Sequence, residues 1–257
     1  MLSRWRFTPD EIMVLWPYVG VSAFPFPIQI QSVVPTHEER RMLEQRARAQ
    51  LERAGVLRRG RLDVDLHAAL QTLVHPLLSC AAFGFVGTRS ESKVRVLGAH
   101  AGGVGVLAVQ EPGVSWDLGA DVTISVVRAA ELAIAVVGGL PPAPAGKAAP
   151  IRVRTADLRA DTHDQVSVTV TATSEQRSVQ RLAELTSGPV AGGGQFTVVT
   201  AQQASAPVMT STVTWFDRPD DGRYLMARGE TTRVAPADFR ILAAELNQQL
   251  SGATRRA

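Results

Sequence analysis

The strongest constraint on the fold is a pair of β-rich runs near the carboxyl end, separated by an Asp-Gly step. The runs cover 212–217 and 223–226, and the step is Asp221-Gly222. Apolar, β-branched runs on both sides of Asp-Gly predict a β-hairpin, because this pair suits the tight turn that hairpins use. A short strand over 231–234 and an amphipathic helix should follow. The predicted apolar face of that helix comprises Phe239, Leu242, Ala243, Leu246 and Leu250.

The first half of the chain shows the same order of helix, strands and helix. Thr36 begins a capping box that starts a helix, and Gly55 is suited to end it. A second helix should begin near Asp63 or Asp65, and Pro76 should kink or end it, because its ring disfavours a helix interior. The predicted buried positions of this helix are Leu66, Ala69, Leu70, Leu73 and Leu77. The β-rich runs that predict an antiparallel meander are 82–86, 93–97, 104–109 and 122–127, and a closing helix is expected over 129–137.

A connector rich in Pro, Gly and Ala, over 138–150, separates the two halves. Beyond it we predict strands at 151–154 and 166–170, and then a helix capped by Ser174 that carries Val179, Leu182 and Leu185 on one side. A glycine turn at 192–194 should lead into a strand over 195–199. We therefore expect an α+β fold in which 1–257 is a single domain. Its two pseudo-repeats, 1–140 and 151–257, should join their sheets about a pseudo-two-fold axis.

The composition fits a globular protein and excludes several function classes. The 257 residues are 45% hydrophobic and 20% charged, with a net charge of +3. The arginines form no basic stripe with interleaved aromatics, so no nucleic-acid partner is expected. Cys80 is the single cysteine, which excludes an intramolecular disulfide. No export signal is visible, and the most apolar stretch contains Arg128 and Glu131, so we expect a cytoplasmic protein without membrane insertion. Aromatic residues between prolines predict an ordered amino-terminal arm, comprising Trp5, Phe7, Trp16, Phe24 and Phe26.

Motifs that would carry catalysis are incomplete in this chain. Ser90 and Lys93 have the Ser-x-x-Lys spacing of penicillin-binding enzymes, but they lie in a predicted loop instead of at a helix start. The glycine runs at 102–105 and 192–194 lack the ending of a phosphate loop and are interpreted as turns. His67 and His75 are too far apart on one helix to bind zinc without other ligands. We expect no enzymatic activity, no cofactor and no metal.

Several motifs, taken in order and spacing, resemble the EspG family of secretion-associated chaperones from the ESX (type VII) systems of actinobacteria. These motifs are Gly193-Gly-Gln-Phe196, Trp215-Phe-Asp217, Asp221-Gly-Arg-Tyr-Leu225, Val234-Ala-Pro-Ala-Asp238, the Leu140-Pro141 pair, and a Leu-rich helix at 63–78 that runs into Ala82-Phe-Gly-Phe85. The resemblance covers nearly the whole chain. It implies a quasi-two-fold fold with a central antiparallel sheet flanked by helical bundles. It also implies a non-catalytic chaperone that binds the helical tip of PE–PPE-type heterodimers, keeps them soluble and directs them to the secretion machinery.

The resemblance further implies where a partner would bind. An early loop would contribute His100, Gly102 and Gly103, and the sheet would contribute Gln195, Thr197 and Val199. The helices would contribute Leu182, Leu185 and Phe239, although their helical spacing is more typical of core residues. The aromatic arm has no counterpart in the family that we can assign. The alternative function is binding of a small ligand or lipid in a cavity between sheet and helices. Homodimerisation through a sheet edge or a helix face is left open by the sequence.

Overall fold

The computed structural model describes residues 3–30, 36–87, 92–113, 119–160, 173–201 and 208–255. Within these ranges the helices are α1 Pro9–Leu15, α2 His37–Arg53, α3 Val64–Val74, α4 Leu132–Gly138, α5 Asp157–Ala160, α6 Ser174–Ser187 and α7 Phe239–Thr254. The strands are β1 Arg4–Phe7, β2 Leu57–Arg58, β3 Arg61–Leu62, β4 Leu78–Val86, β5 Ser92–Ala101, β6 Val104–Pro112, β7 Gly119–Arg128, β8 Ile151–Arg154, β9 Gly192–Thr200, β10 Val208–Arg218, β11 Gly222–Ala227 and β12 Thr231–Pro236.

Ten of the described strands form one antiparallel sheet, in the order β1-β7-β6-β5-β4-β9-β10-β11-β12-β8. At its centre, β4 from the first half of the chain pairs with β9 from the second half. Outward from this seam, each half contributes a four-stranded meander and then one short strand. The predicted α+β class with a central antiparallel sheet is confirmed. The division into pseudo-repeats at 1–140 and 151–257 stays a prediction, which the matching strand order supports.

The seam between β4 and β9 depends on glycine. Gly84 lies opposite Gly194 in the register, and a Cβ atom at Gly84 would overlap the carbonyl oxygen of Gly193. The interpretation of 192–194 as a turn is therefore wrong, because these glycines begin strand β9 and let two backbones approach closely. The glycines at 102 and 103 do form the predicted turn, with φ of 59° and 86°.

Helices cover the two faces of the sheet unequally. On one face, which we call the covered face, α4 and α7 contact each other and enclose a core that includes Val96, Phe196 and Trp215. On the opposite face, which we call the open face, α1, α2 and α3 pack over the amino-terminal wing of the sheet, around Leu97 and Ile124. Helix α6 packs over the carboxyl-terminal wing. The flanking helices predicted from the sequence are therefore present on both faces.

Local signals place most of the element boundaries. Thr36, Asp63 and Asp238 each accept a hydrogen bond from a backbone N–H in the first turn of α2, α3 and α7, so the helix starts predicted at the first two are confirmed. Helix α6 is capped by Thr173 and not by the predicted Ser174. Leu77, predicted to be buried on α3, lies beyond the end of that helix and is 55% exposed. The predicted strand at 166–170 and Ser90 lie outside the described residues.

The predicted amino-terminal arm is ordered and belongs to the sheet. β1 pairs with β7, which places Phe7 opposite Val122 at the edge of the open face. Phe7 and Trp16 are buried, and the ring centroids of Trp16 and Phe24 are 4.3 Å apart. The arm thereby removes a large aromatic surface from water, which stabilises its position on the domain.

The β10–β11 hairpin is closed by a buried ion pair. Arg223 lies directly opposite Asp217, and its Nε and Nη2 donate to the two carboxylate oxygens at 2.7 and 2.8 Å. The Arg223 guanidinium also lies 4.8 Å from the ring centroid of Trp215. Trp215 lies on the same strand as Asp217, two residues before it. Because Arg223 is buried, this bidentate pairing and the cation–π contact offset the cost of removing its charge from water.

The connector is held on this hairpin by hydrogen bonds. The Arg223 backbone N–H donates to the Pro144 carbonyl at 2.7 Å, and the Gly146 N–H donates to the Arg223 carbonyl at 2.9 Å. The Tyr224 hydroxyl donates to Asp221 at 2.6 Å and accepts from the Ala148 N–H at 2.9 Å. The hydrogen bond from Tyr224 lowers the pKa of Asp221, while burial first and this hydrogen bond second raise the pKa of Tyr224.

We expect Tyr224→Phe to lower the free energy of unfolding by about 1–2 kcal/mol, because it removes two hydrogen bonds from a buried site. Urea denaturation measures this loss. Tyr18→Phe is the matched control, because the Tyr18 hydroxyl accepts a hydrogen bond from Arg48 at 3.3 Å in an exposed position. This substitution should lower the free energy of unfolding by less than about 0.5 kcal/mol. Equal losses in the two variants would contradict the role assigned to Tyr224.

Candidate functional site

The middle of the open face is the candidate site, because it lies between the two groups of covering helices. Over β4, β9 and β10 most side chains of this face are exposed or only half-buried among the described residues, and the exceptions are Ala81 and Phe216. We call this region the central groove. Its floor is defined by Ser79, Phe83, Phe85, Gln195, Thr197, Val199, Thr212 and Thr214.

Strand alternation explains which side chains reach the groove. In β9, Phe196 and Val198 point to the covered face and are buried under α7, so Gln195, Thr197 and Val199 point to the open face. The register places Gln195 between Phe83 and Thr214. The floor is thus a mixture of aromatic, aliphatic and neutral polar groups.

The first of two hollows in the groove lies beside the carboxyl end of α3. Its volume is about 610 Å³. It is lined by Pro25, Phe26, Leu73, Val74, His75, Pro76, Leu77, Ser79, Ala81, Leu97, Thr197, Val199 and Ala201. Two large apolar side chains on its rim are more than half exposed: Phe26 at 57% and Leu77 at 55%. Clustered exposed apolar side chains of this size are typical of protein-binding surfaces.

The second hollow lies at the other end of β9, towards α6. Its volume is about 420 Å³. Its lining comprises Phe83, Gly84, Phe85, Val190, Gly192, Gly193, Gly194, Gln195, Thr214, Trp215 and Phe216. Because three successive residues of β9 are glycines, part of this floor is bare backbone, which allows a bound partner to approach the sheet closely.

The chemistry of both hollows favours a neutral, apolar partner. Their linings contain no Asp, Glu, Lys or Arg, and His75 is the one titratable side chain among them. In the part of the chain that the structure describes, no three His, Cys, Asp or Glu side chains are grouped so as to hold a metal ion. Within the same part, no helix combines the length and apolar character needed to cross a membrane.

Five of the predicted contact residues lie on the open face. Gln195, Thr197 and Val199 form the floor of the groove. Leu182 and Leu185 lie on α6, and Leu182 is buried against Phe216 and Tyr224 in the core of the carboxyl-terminal wing. The α6 leucines therefore support the wall of the groove from behind.

The other four predicted residues lie elsewhere. His100 is opposite Leu78 in the register, so its side chain points to the covered face, where burial lowers its pKa. Gly102 and Gly103 form the β5–β6 turn. This turn lies at the same end of the sheet as Leu77, whose N–H donates to the His100 carbonyl. Phe239 is the first residue of α7 and is 45% exposed, outside the apolar face predicted for it.

Sequence reasoning missed the aromatic side of the groove. Phe83 and Phe85 alternate with buried residues of β4, but their role becomes visible only when β4 is paired with β9, more than 100 residues away. Phe26 belongs to the arm, where aromatic content alone predicted packing and not exposure. The alternation of Leu78, Cys80 and Ala82 was the one sequence signal that could have found the open side of β4.

Comparisons with known proteins give two positive findings. The family model described as "EspG family" matches residues 8–248. The fold is similar to that of the type VII secretion system chaperone EspG5 of Mycobacterium tuberculosis, solved in complex with the PE25–PPE41 dimer. That match has a TM-score of 0.68 and 14% identity, and it covers 96% of this chain and 95% of the other. No curated protein sequence matches the chain.

We expect Gly194→Ala to lower the free energy of unfolding by about 1–3 kcal/mol, because the added methyl group would overlap the carbonyl oxygen of Phe83 across the seam. The neighbouring Gly193→Ala is the matched control. Its Cβ would lie 3.3 Å from the nearest atom, the carbonyl oxygen of Trp215, so its cost should stay below about 1 kcal/mol. Chemical denaturation of both variants measures the difference, and a seam insensitive to Gly194→Ala would contradict the close approach described here.

Proposed function

This chain belongs to the EspG family, and we propose that it is a non-catalytic cytoplasmic chaperone for helical substrates of type VII secretion. In this proposal the client is a heterodimer of the PE–PPE kind. The chaperone covers an apolar surface at the client's helical tip, keeps the client soluble and directs it to the secretion machinery.

The observation that carries the proposal is the open, uncharged central groove on a sheet of this fold. The similar EspG5 fold was solved with a PE25–PPE41 dimer bound, which supports a client of that class for this chain. A helical tip with exposed apolar side chains self-associates in water unless another apolar surface covers it. The two hollows, of about 610 and 420 Å³, provide recesses for such side chains, and Gln195 lines the second of them.

The polar residues of the floor have a separate role in the proposal. Gln195, Thr197 and Thr214 present neutral hydrogen-bonding groups between apolar recesses, and such groups orient a partner more than they strengthen its binding. We propose Gln195, Thr197 and Val199 as direct contacts, with Leu182 and Leu185 supporting the wall. Contacts from His100, Gly102, Gly103 and Phe239 stay predictions, and on this geometry they would require a client that also reaches the sheet end or the covered face.

Binding of a small ligand or lipid remains the competing proposal, and the shape of the site favours it less. Both hollows open to solvent on the sheet face, whereas small-molecule sites enclose most of the ligand surface. Native mass spectrometry of the purified protein separates the two proposals. A small molecule retained at a fixed mass would favour the ligand proposal, and a bare chain that binds a PE–PPE heterodimer would favour the chaperone.

We expect Gln195→Arg to weaken binding of a PE–PPE heterodimer encoded in the same genome by at least about tenfold, because it places a charge under an apolar interface where it loses its water. Isothermal titration calorimetry with the purified heterodimer measures the change. Gln248→Arg, on the exposed surface of α7, is the matched control and should bind like the parent protein. Equal affinity of the two variants would exclude the groove as the binding surface, and thermal unfolding checks that both remain folded.

A further inference from the structure

The amino-terminal arm forms one wall of the central groove. Pro25 and Phe26 line the first hollow, opposite the end of α3. The Phe26 ring contacts the ring of Phe83 on the groove floor, with a centroid separation of 5.3 Å and an interplanar angle of 58°. An aromatic pair in an energetically favourable tilted arrangement therefore joins the wall of the first hollow to Phe83, which lines the second hollow.

A polar clamp fixes the arm next to Phe26. The Gln29 N–H donates to the side-chain oxygen of Gln110 at 2.9 Å, and the Gln110 amide donates back to the Gln29 carbonyl at 2.6 Å. The side chain of Gln110 thus pairs with the arm as a neighbouring strand would. Arg95 adds a hydrogen bond to the Gln29 side chain at 3.0 Å.

The clamp is buried, which makes it costly to open. Arg95 and Gln110 are each 2% exposed, and they lie opposite each other in β5 and β6. Breaking the contacts with Gln29 would leave polar groups of these side chains in a dry environment, at a cost of a few kcal/mol. Ile28 and Ile30, on either side of Gln29, are buried in the same core and add an apolar anchor.

Phe26 is consequently held from both directions along the chain while its own ring stays exposed. Before it, Phe24 packs on Trp16, and after it come Ile28 and the clamp. An aromatic ring that is exposed on a fixed backbone loses little conformational entropy when a partner covers it. Such pre-organised aromatic residues dominate the energetics of protein interfaces.

We propose that Phe26 determines which clients this chaperone accepts, by forming the wall of a recess for one bulky apolar side chain of the client tip. This inference rests on the proposed function and assigns to the arm a part in it. The hollow of about 610 Å³ falls within the range of about 300–1,000 Å³ that holds small ligands, so it has room for a large side chain. A polar or charged side chain is rejected there, because few lining groups replace the hydrogen bonds it loses to water.

The test uses the full chain and a PE–PPE heterodimer that the parent protein binds. We expect Phe26→Ala to weaken binding at least about tenfold in calorimetry, and Phe26→Leu to restore part of the affinity. Ile134→Ala is the control, since Ile134 on α4 is 52% exposed, close to the 57% of Phe26, but lies on the covered side of the sheet. It should bind like the parent protein.

A double-mutant cycle identifies the client side chain that enters the recess. Each bulky apolar residue at the client tip is changed to Ala and titrated against the parent protein and Phe26→Ala. For the residue that contacts Phe26, the combined loss should be at least about threefold smaller than the product of the single losses. Losses that multiply at every tip residue would overturn the proposed recess.

Failure of this inference is distinguishable from failure of the proposed function. A heterodimer that binds the parent protein and Phe26→Ala equally well would overturn the role of the arm and leave the chaperone function in place. Absence of binding between the parent protein and every PE–PPE heterodimer of its genome would overturn both.

Discussion

The pairing of β4 with β9 is the interaction on which the rest of the molecule depends. Each half of the chain builds a sheet whose inner edge strand, β4 or β9, would be unpaired on its own. Backbone groups left at such an edge invite association with other chains. Joining the two edges satisfies both rows of hydrogen bonds and produces one sheet with a middle that belongs to neither half. Close approach at this seam requires glycine at 84 and 194, where a side-chain atom would overlap the paired strand. The helices of each half then cover their own wing, and the open face over the seam becomes a groove.

The asymmetry between the two faces gives the groove its character. On the covered face, α4 and α7 meet over the seam and bury Phe196 and Trp215. On the open face, the helices remain over the wings, so most of the alternate residues of the same strands stay accessible. The arm narrows this opening from one side, because the clamp around Gln29 fixes it against β5 and β6. A surface of this kind combines aromatic residues of the floor with an aromatic wall at Phe26, which are features expected of a site that recognises a protein surface.

Local sequence signals predicted the elements far better than they predicted the site. The β10–β11 hairpin, the caps at Thr36 and Asp63 and the antiparallel order of the strands follow from short-range chemistry and are confirmed. The turn itself lies at 219–221, and Gly222 begins β11. The glycines at 192–194 were misinterpreted because their role depends on a strand more than 100 residues away. The same long-range pairing decides that Gln195 and Thr197 face the groove, whereas His100 faces the covered side. Strand alternation assigns residues to two faces, but it does not reveal which face the helices leave open.

The position of β9 in the chain also sets the moment at which the groove can exist during biosynthesis. β4 emerges from the ribosome with its free edge exposed and must wait for roughly 100 further residues before β9 can pair with it, which takes about 5–20 seconds at ordinary translation rates. During this interval the nascent chain contains the first wing, the arm and Phe26, but lacks the second half of the floor. The floor of the groove is therefore complete only after β9 and β10 have been translated.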